Sequence, residues 1–130
     1  MGIDFKAYVE VDNETEETTF FFLSDLGNSW ARHQMFAPYR PHKQAQGRII
    51  INQVILDHMK SEIAKMRDTE TGLYDKMMEA EKGATHVGDY ECEWKDYISY
   101  HDWCLTVTRT YQSWALALDN PHCTPVVTFS

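Results

Sequence analysis

The chain opens with an alternation. From 4 to 11, Phe5, Ala7, Val9 and Val11 fall on one side and Lys6, Tyr8 and Glu10 on the other. That period of two is what a half-buried strand requires. The polar run Asp12-Asn13-Glu14-Thr15-Glu16-Glu17 reads as a turn. Thr18-Thr19-Phe20-Phe21-Phe22-Leu23 is β-branched and aromatic and reads as a second strand. Together they predict an N-terminal hairpin. Ser24-Asp25-Leu26-Gly27-Asn28-Ser29 has turn chemistry. Pro38, Pro41 and Gly47 predict a loop over 30–48, with a short helical turn before Pro38.

The period then changes. Ile51, Val54, Ile55, Met59, Ile63 and Met66 recur at three and four, which predicts an amphipathic helix from about 48 to 68. Ile49-Ile50-Ile51 alone also fits a strand. Gly72 interrupts the pattern, and Leu73, Met77 and Ala80 resume it up to Gly83. The reading is a second helix from about 72 to 82, or one long kinked helix. Further on, two patterns compete. Tyr90, Cys92 and Trp94 alternate with Glu91, Glu93 and Lys95, and 103–110 is rich in β-branched residues. Both favour strands, over 90–95 and 103–110. Yet Tyr97, Tyr100, Cys104, Val107, Tyr111, Trp114 and Leu118 trace a helical stripe, and 111–118 stays open. Asp119-Asn120-Pro121 reads as a turn, and 125–129 as a final edge strand. The expected fold class is α+β: an antiparallel sheet with an N-terminal hairpin and one or two amphipathic helices, about 48–68 and 72–82, packed on it.

Length changes this picture little: 130 residues predict a single domain, 1–130. With 43% hydrophobic and 25% charged residues, the composition excludes wholesale disorder. No apolar run approaches the length of a membrane span, about 20 residues. No basic region followed by an apolar stretch opens the chain, so no secretory leader is expected. Three cysteines, Cys92, Cys104 and Cys123, are an odd number. They suit reduced, core-packed thiols in a cytoplasmic protein.

Charge is more informative. The net is −8, but it is unevenly spread. Residues 1–28 carry seven acids and one base, whereas 29–50 carry four bases and no acid. That basic stretch is also aromatic. Trp30, Arg32, Tyr39, Arg40, Lys43 and Arg48 form the candidate ligand site, with the arginines and lysine on phosphates and Trp30 or Tyr39 stacking a base. The ligand class this predicts is a small, nucleotide-like anion. A solvated loop whose bases pair with the acids at 10–17 explains the same residues. No glycine-rich phosphate motif is present.

Three other constellations compete. His101 and Cys104, with His122, Cys123 and Cys92, are zinc-type donors, but no Cys-x-x-Cys occurs and a strand would turn His101 and Cys104 to opposite faces. Glu93-Trp94-Lys95 has the Glu-x-Lys form of some metal-dependent nucleases, with Asp75 or Asp89 as a further acid. The solvent side of a strand explains it equally. Asp12, Glu14, Glu16 and Glu17 at the hairpin tip suit an acidic inhibitor that blocks a protein or mimics nucleic acid. No catalytic residue, metal ligand or cofactor is assigned.

Met-Gly-Ile-Asp-Phe-Lys-Ala-Tyr-Val-Glu-Val resembles the openings of small proteins of phages and their bacterial hosts. Those often begin Met-Gly-Cys-Asp or Met-Gly-Leu-Asp and run straight into a strand. The likeness covers about eleven of 130 residues, and Ile3 stands where Cys or Leu is common. It implies a phage-type origin and a role in countering host defence, and it transfers no site. The expectation is a non-enzymatic binding protein that sequesters a nucleotide-like anion through 30–48. The partner is that ligand or a host protein, and the many aromatics suit a homo-oligomer.

Overall fold

The structure is a computed structural model and describes residues 3–27, 35–41 and 44–130. The fold is α+β: the described residues form a four-stranded antiparallel sheet and two long helices. In chain order the elements are β1 (Phe5–Asp12), β2 (Thr18–Gly27), a 3-10 turn (Ala37–Tyr39), β3 (Gly47–Ile50), α1 (Gln53–Lys82), a second 3-10 turn (Val87–Asp89), α2 (Glu91–Leu118) and β4 (Cys123–Phe129). The strand order is β2-β1-β4-β3. The chain divides into two compact units, one of residues 1–60 with 109–130, the other of 61–108. No helix among the described residues is long and apolar enough to cross a membrane.

The first unit holds the sheet. Phe5, Ala7 and Val9 are buried, as their alternation predicts. The β1–β2 turn is tight: Asn13 N–H donates to the Glu17 carbonyl (2.9 Å) and Glu16 N–H to the Asn13 carbonyl (3.1 Å). Glu16 takes a left-handed φ of 66° to close it. β2 runs through 24–27, where turn chemistry predicts its end. Its pairing with β1 carries two register shifts. Ser24 Oγ meets Thr110 Oγ1 at 2.7 Å, and Leu26 is buried. These tertiary contacts outweigh the local preference of Asp and Gly for turns.

β4 is an interior strand rather than the expected edge strand, flanked by β1 and β3. Pro125 is tolerated there for a geometric reason. Ile51 N–H donates to the Pro125 carbonyl (2.9 Å). A strand residue directs its N–H and C=O to the same side. The missing donor of Pro125 therefore faces the β3 side, just past Ile50, the last residue of β3. The ladder to β1 loses nothing.

The helix expected from 48 starts at Gln53, and Ile49-Ile50 belong to β3. Asn52 sets the boundary, since its side-chain oxygen accepts the Ile55 N–H (3.0 Å) as a helix N-cap. Of the two readings for this stretch, one long helix or two, the structure has one continuous α1, with Gly72 in its interior. Ile55, Leu56 and Met59 are buried in the first unit, whereas Val54, expected on the apolar stripe, is exposed. The strands expected over 90–95 and 103–110 are absent, because 91–118 is α2. Its buried residues Cys104, Val107, Thr110, Trp114 and Ala117 keep the helical period. A stripe sustained over twenty residues outweighs β-propensity in two short windows.

The second unit is a helical hairpin. Met66 lies beside Cys104, Glu70 beside His101 and Tyr74 beside Tyr97, the pairing of antiparallel helices. The link between them is fastened by Asp89, whose carboxylate accepts from Thr85 N–H (3.0 Å), Thr85 Oγ1 (3.2 Å) and His86 N–H (3.1 Å). Those donors hold its carboxyl below the ordinary carboxylate range, the Thr85 N–H contributing most.

Candidate functional site

Arg40 is placed by an aromatic series that runs through the core of the first unit. Trp114 meets Phe36 edge-on (6.0 Å between centroids), Phe36 packs on Phe5 (5.3 Å), and Phe5 on Phe129 (6.4 Å). Phe36 thereby anchors the 3-10 turn Ala37–Tyr39, which Arg40 N–H closes on the Ala37 carbonyl (3.2 Å). The Arg40 guanidinium lies 5.8 Å from the Phe129 ring centre. Its Nη1 is buried and has no hydrogen-bond partner among the described residues. A β-carbon at Gly47 would come within 3.0 Å of Phe129 Cζ, so the bare backbone of Gly47 leaves this ring its place.

The other expected ligand residues are distributed differently. Tyr39 neighbours Arg40, but its hydroxyl is hydrogen-bonded to His58 Nδ1 (3.0 Å). Arg48 stands on the opposite face of the sheet from Phe129, because Arg48 pairs in register with Thr128 and Gly47 with Phe129. There Arg48 forms an ion pair with Glu10. Trp30, Arg32 and Lys43 lie outside the described residues. Within the described part of 30–48, the Tyr39 side chain is engaged with His58, Arg40 lies over Phe129, and Arg48 is on the opposite face of the sheet from Phe129.

The nuclease triplet loses the strand it requires. Glu93 and Lys95 sit in the first turns of α2, and residues two apart on a helix point about 200° apart. Lys95 pairs with Glu91 (2.8 Å) instead, which raises the lysine and lowers the carboxyl of Glu91. His101 and Cys104 lie toward α1, not on opposite faces. His101 Nδ1 is hydrogen-bonded to Glu70, and the Cys104 thiol faces the Met66 carbonyl (3.8 Å). No group of three His, Cys, Asp or Glu among the described residues is placed to hold a metal ion. Cys92 is exposed rather than core-packed, and Cys123 is half-buried. At the hairpin tip, Asp12, Glu14, Glu16 and Glu17 are all exposed. Asp12, Asn13 and Glu14 line a shallow cavity of about 420 Å³ with His122.

The structure adds a second candidate, which no sequence motif marks. The helical hairpin carries a cleft of about 340 Å³ lined by Arg67, Glu70, Thr71 and Tyr74 of α1 and Tyr97 of α2. Tyr74 and Tyr97 meet edge-on (5.4 Å), and Tyr97 stacks on His101 (5.7 Å). A signal for it did exist. Arg67, Glu70, Thr71 and Tyr74 are spaced at three, four and seven along one helix face. Their partner Tyr97 is more than twenty residues away, and reading 90–95 as strand hid the pairing.

No protein family, curated protein or solved structure matches the chain.

Arg40 can hold an anion bidentately. Phe129 beneath it screens that interaction from water on one side, which strengthens it.

Proposed function

We propose that the chain is a non-enzymatic binding protein for a small, nucleotide-like anion, with Arg40 as the residue that holds the charge. One observation carries this reading: the buried Nη1 of Arg40 lacks an acceptor among the described residues. A buried donor left unpaired costs about 1–3 kcal/mol. An anionic ligand that accepts from it recovers that cost, so the site favours occupancy. Tyr39 lies next in the chain, and Trp30, Arg32 and Lys43 complete the proposed ligand set from the flanking segments. Arg48, engaged with Glu10 on the far face of the sheet, takes part only if that pair opens. A binder of this kind acts by sequestering a nucleotide signal, in keeping with the phage-like opening of the chain and a cytoplasmic setting.

The test is calorimetric titration of the full chain with nucleoside mono-, di- and triphosphates. Arg40→Met keeps the apolar stem over Phe129 and removes the charge. It weakens binding at least tenfold while the melting temperature holds or rises, since an unpaired buried donor is gone. Equal binding by Arg40→Met and the parent chain refutes the assignment.

A second reading is favoured by β2. Phe20 and Phe22, on one face of the strand that leads out of the acidic tip, are 60% and 57% exposed. Such a surface suits a protein-directed inhibitor, with the aromatics in an apolar recess and the acids on a basic rim. Reversing the charges of Glu14, Glu16 and Glu17 abolishes the capture of a basic partner under this reading. Capture that survives the reversal removes it.

A further inference from the structure

We propose that the cleft of the helical hairpin binds a planar ring that carries an acidic group, with Arg67 on the acid and Tyr74 and Tyr97 on the ring. The site is separate from Arg40 and stands on its own observations. Arg67 and Glu70 are three apart on α1, where opposite charges ordinarily pair. Here they do not. Glu70 is hydrogen-bonded across the hairpin to His101 Nδ1, and Arg67 makes no ion pair among the described residues. The guanidinium is left at the cleft rim for an external anion.

The walls fit a ring. Tyr74 is 43% exposed despite its contact with Tyr97. Tyr97 is braced from behind by His101, stacked at 25° between ring planes. His101 is in turn fixed by Glu70, so the aromatic wall is pre-ordered and little ordering entropy is lost on binding. Cleft volume, about 340 Å³, lies at the lower end of the range for small-molecule sites. Glu70 retains acceptor capacity beyond the bond to His101, since a carboxylate has about four lone-pair sites. A ring with N–H or O–H donors on one edge therefore meets an acceptor. Thr71, whose hydroxyl donates to the Arg67 carbonyl (3.0 Å), contributes a further acceptor at the same rim.

Two sources share this chemistry: a nucleoside monophosphate, whose guanine carries donors on one edge, and a hydroxylated aromatic carboxylate. The experiment uses the full chain carrying Arg40→Met, so that the Arg40 site does not contribute, and titrates it with guanosine 5′-monophosphate, 4-hydroxybenzoate, ribose 5-phosphate and inorganic phosphate, read by calorimetry and by ligand-observed NMR. At least one ring-bearing anion binds, and which of the two binds more tightly identifies the source. The two ringless phosphates bind at least tenfold more weakly. Arg67→Gln weakens binding tenfold or more without lowering the melting temperature, because its side chain is exposed; Tyr74→Leu weakens binding as much and lowers the melting temperature slightly, through the lost contact with Tyr97. Lys82→Gln removes a positive charge from the same hairpin outside the cleft and leaves binding unchanged. The proposal is overturned if neither ring-bearing anion binds, if ringless phosphate binds as tightly, or if binding survives Arg67→Gln.

Discussion

The indole N–H of Trp114, near the end of α2, donates to the backbone carbonyl of Tyr8 in β1 at 3.0 Å. The bond falls where the β1–β2 register shifts between Ala7 and Tyr8. A sheet irregularity is thus bridged by a side chain from a helix more than a hundred residues later. Trp114 is 0% exposed and begins the aromatic series that ends at Phe129 beneath Arg40. Trp114→Phe keeps most of the ring and deletes the donor. The expected cost is about 1–3 kcal/mol for the unpaired carbonyl, with a further loss from the smaller ring. Urea unfolding reads it as a lower midpoint at unchanged slope. An unchanged midpoint would mean that the indole bond contributes nothing.

Asn52 determines where strand ends and helix begins. Its side-chain acceptor caps Ile55 N–H, and its backbone carbonyl accepts Leu56 N–H at 3.0 Å. Asn52→Ala destabilises by about 1 kcal/mol, and Asn52→Asp restores the cap. Thermal melts of the three chains check the order. Equal melting of the Ala and Asp variants would show the cap to be dispensable.

The same residue illustrates how far the sequence could be read. Alternation in 4–11 and the three–four spacing from 51 to 66 name their elements correctly, because each reports burial on one face over several turns or residues. The boundary between Ile51 and Gln53 is missed because three isoleucines serve either element, and one polar side chain decides. α2 is misread where local β-propensity in 103–110 competes with a stripe that only a longer window reveals. The place of β4 in the sheet depends on which side Pro125 presents to β3, a tertiary fact. The candidate sites divide in the same way. Arg40 is visible as a cation in an aromatic, acid-free segment. Arg48 carries the same signal, yet its place on the strand turns it toward Glu10. The Arg67–Tyr74–Tyr97 cleft depends on helix pairing and is legible only once that pairing is known.

Gly72 lies inside α1, and a β-carbon there would meet nothing within 4 Å. The residue is exposed, so neither close packing nor a special backbone angle calls for glycine. Gly72→Ala stabilises α1 by up to about 1 kcal/mol through helix propensity. Amide exchange of 68–76 slows in parallel. A variant with faster exchange in that stretch would indicate that the glycine serves a bend the helix needs.

Cys104 couples the hairpin to alkaline pH. Burial pushes its thiol up to about 11, the Glu70 carboxylate beside it adds to the rise, and Arg67 partly opposes it. The ordinary value is 9.0. The folded state therefore resists forming a thiolate that the unfolded chain forms readily. The stabilisation is complete below pH 9 and is lost as pH rises from about 9 to 11. The loss is about 2–3 kcal/mol at full range, since each pKa unit corresponds to about 1.4 kcal/mol. Cys104→Ala loses some packing at every pH, but its stability falls less steeply across that window. Thiol alkylation gives an independent reading. Exposed Cys92 reacts first, half-buried Cys123 follows, and Cys104 reacts only on unfolding. Parallel pH profiles for Cys104→Ala and the parent chain, or early alkylation of Cys104 under native conditions, would each contradict the thiol's buried position between α1 and α2.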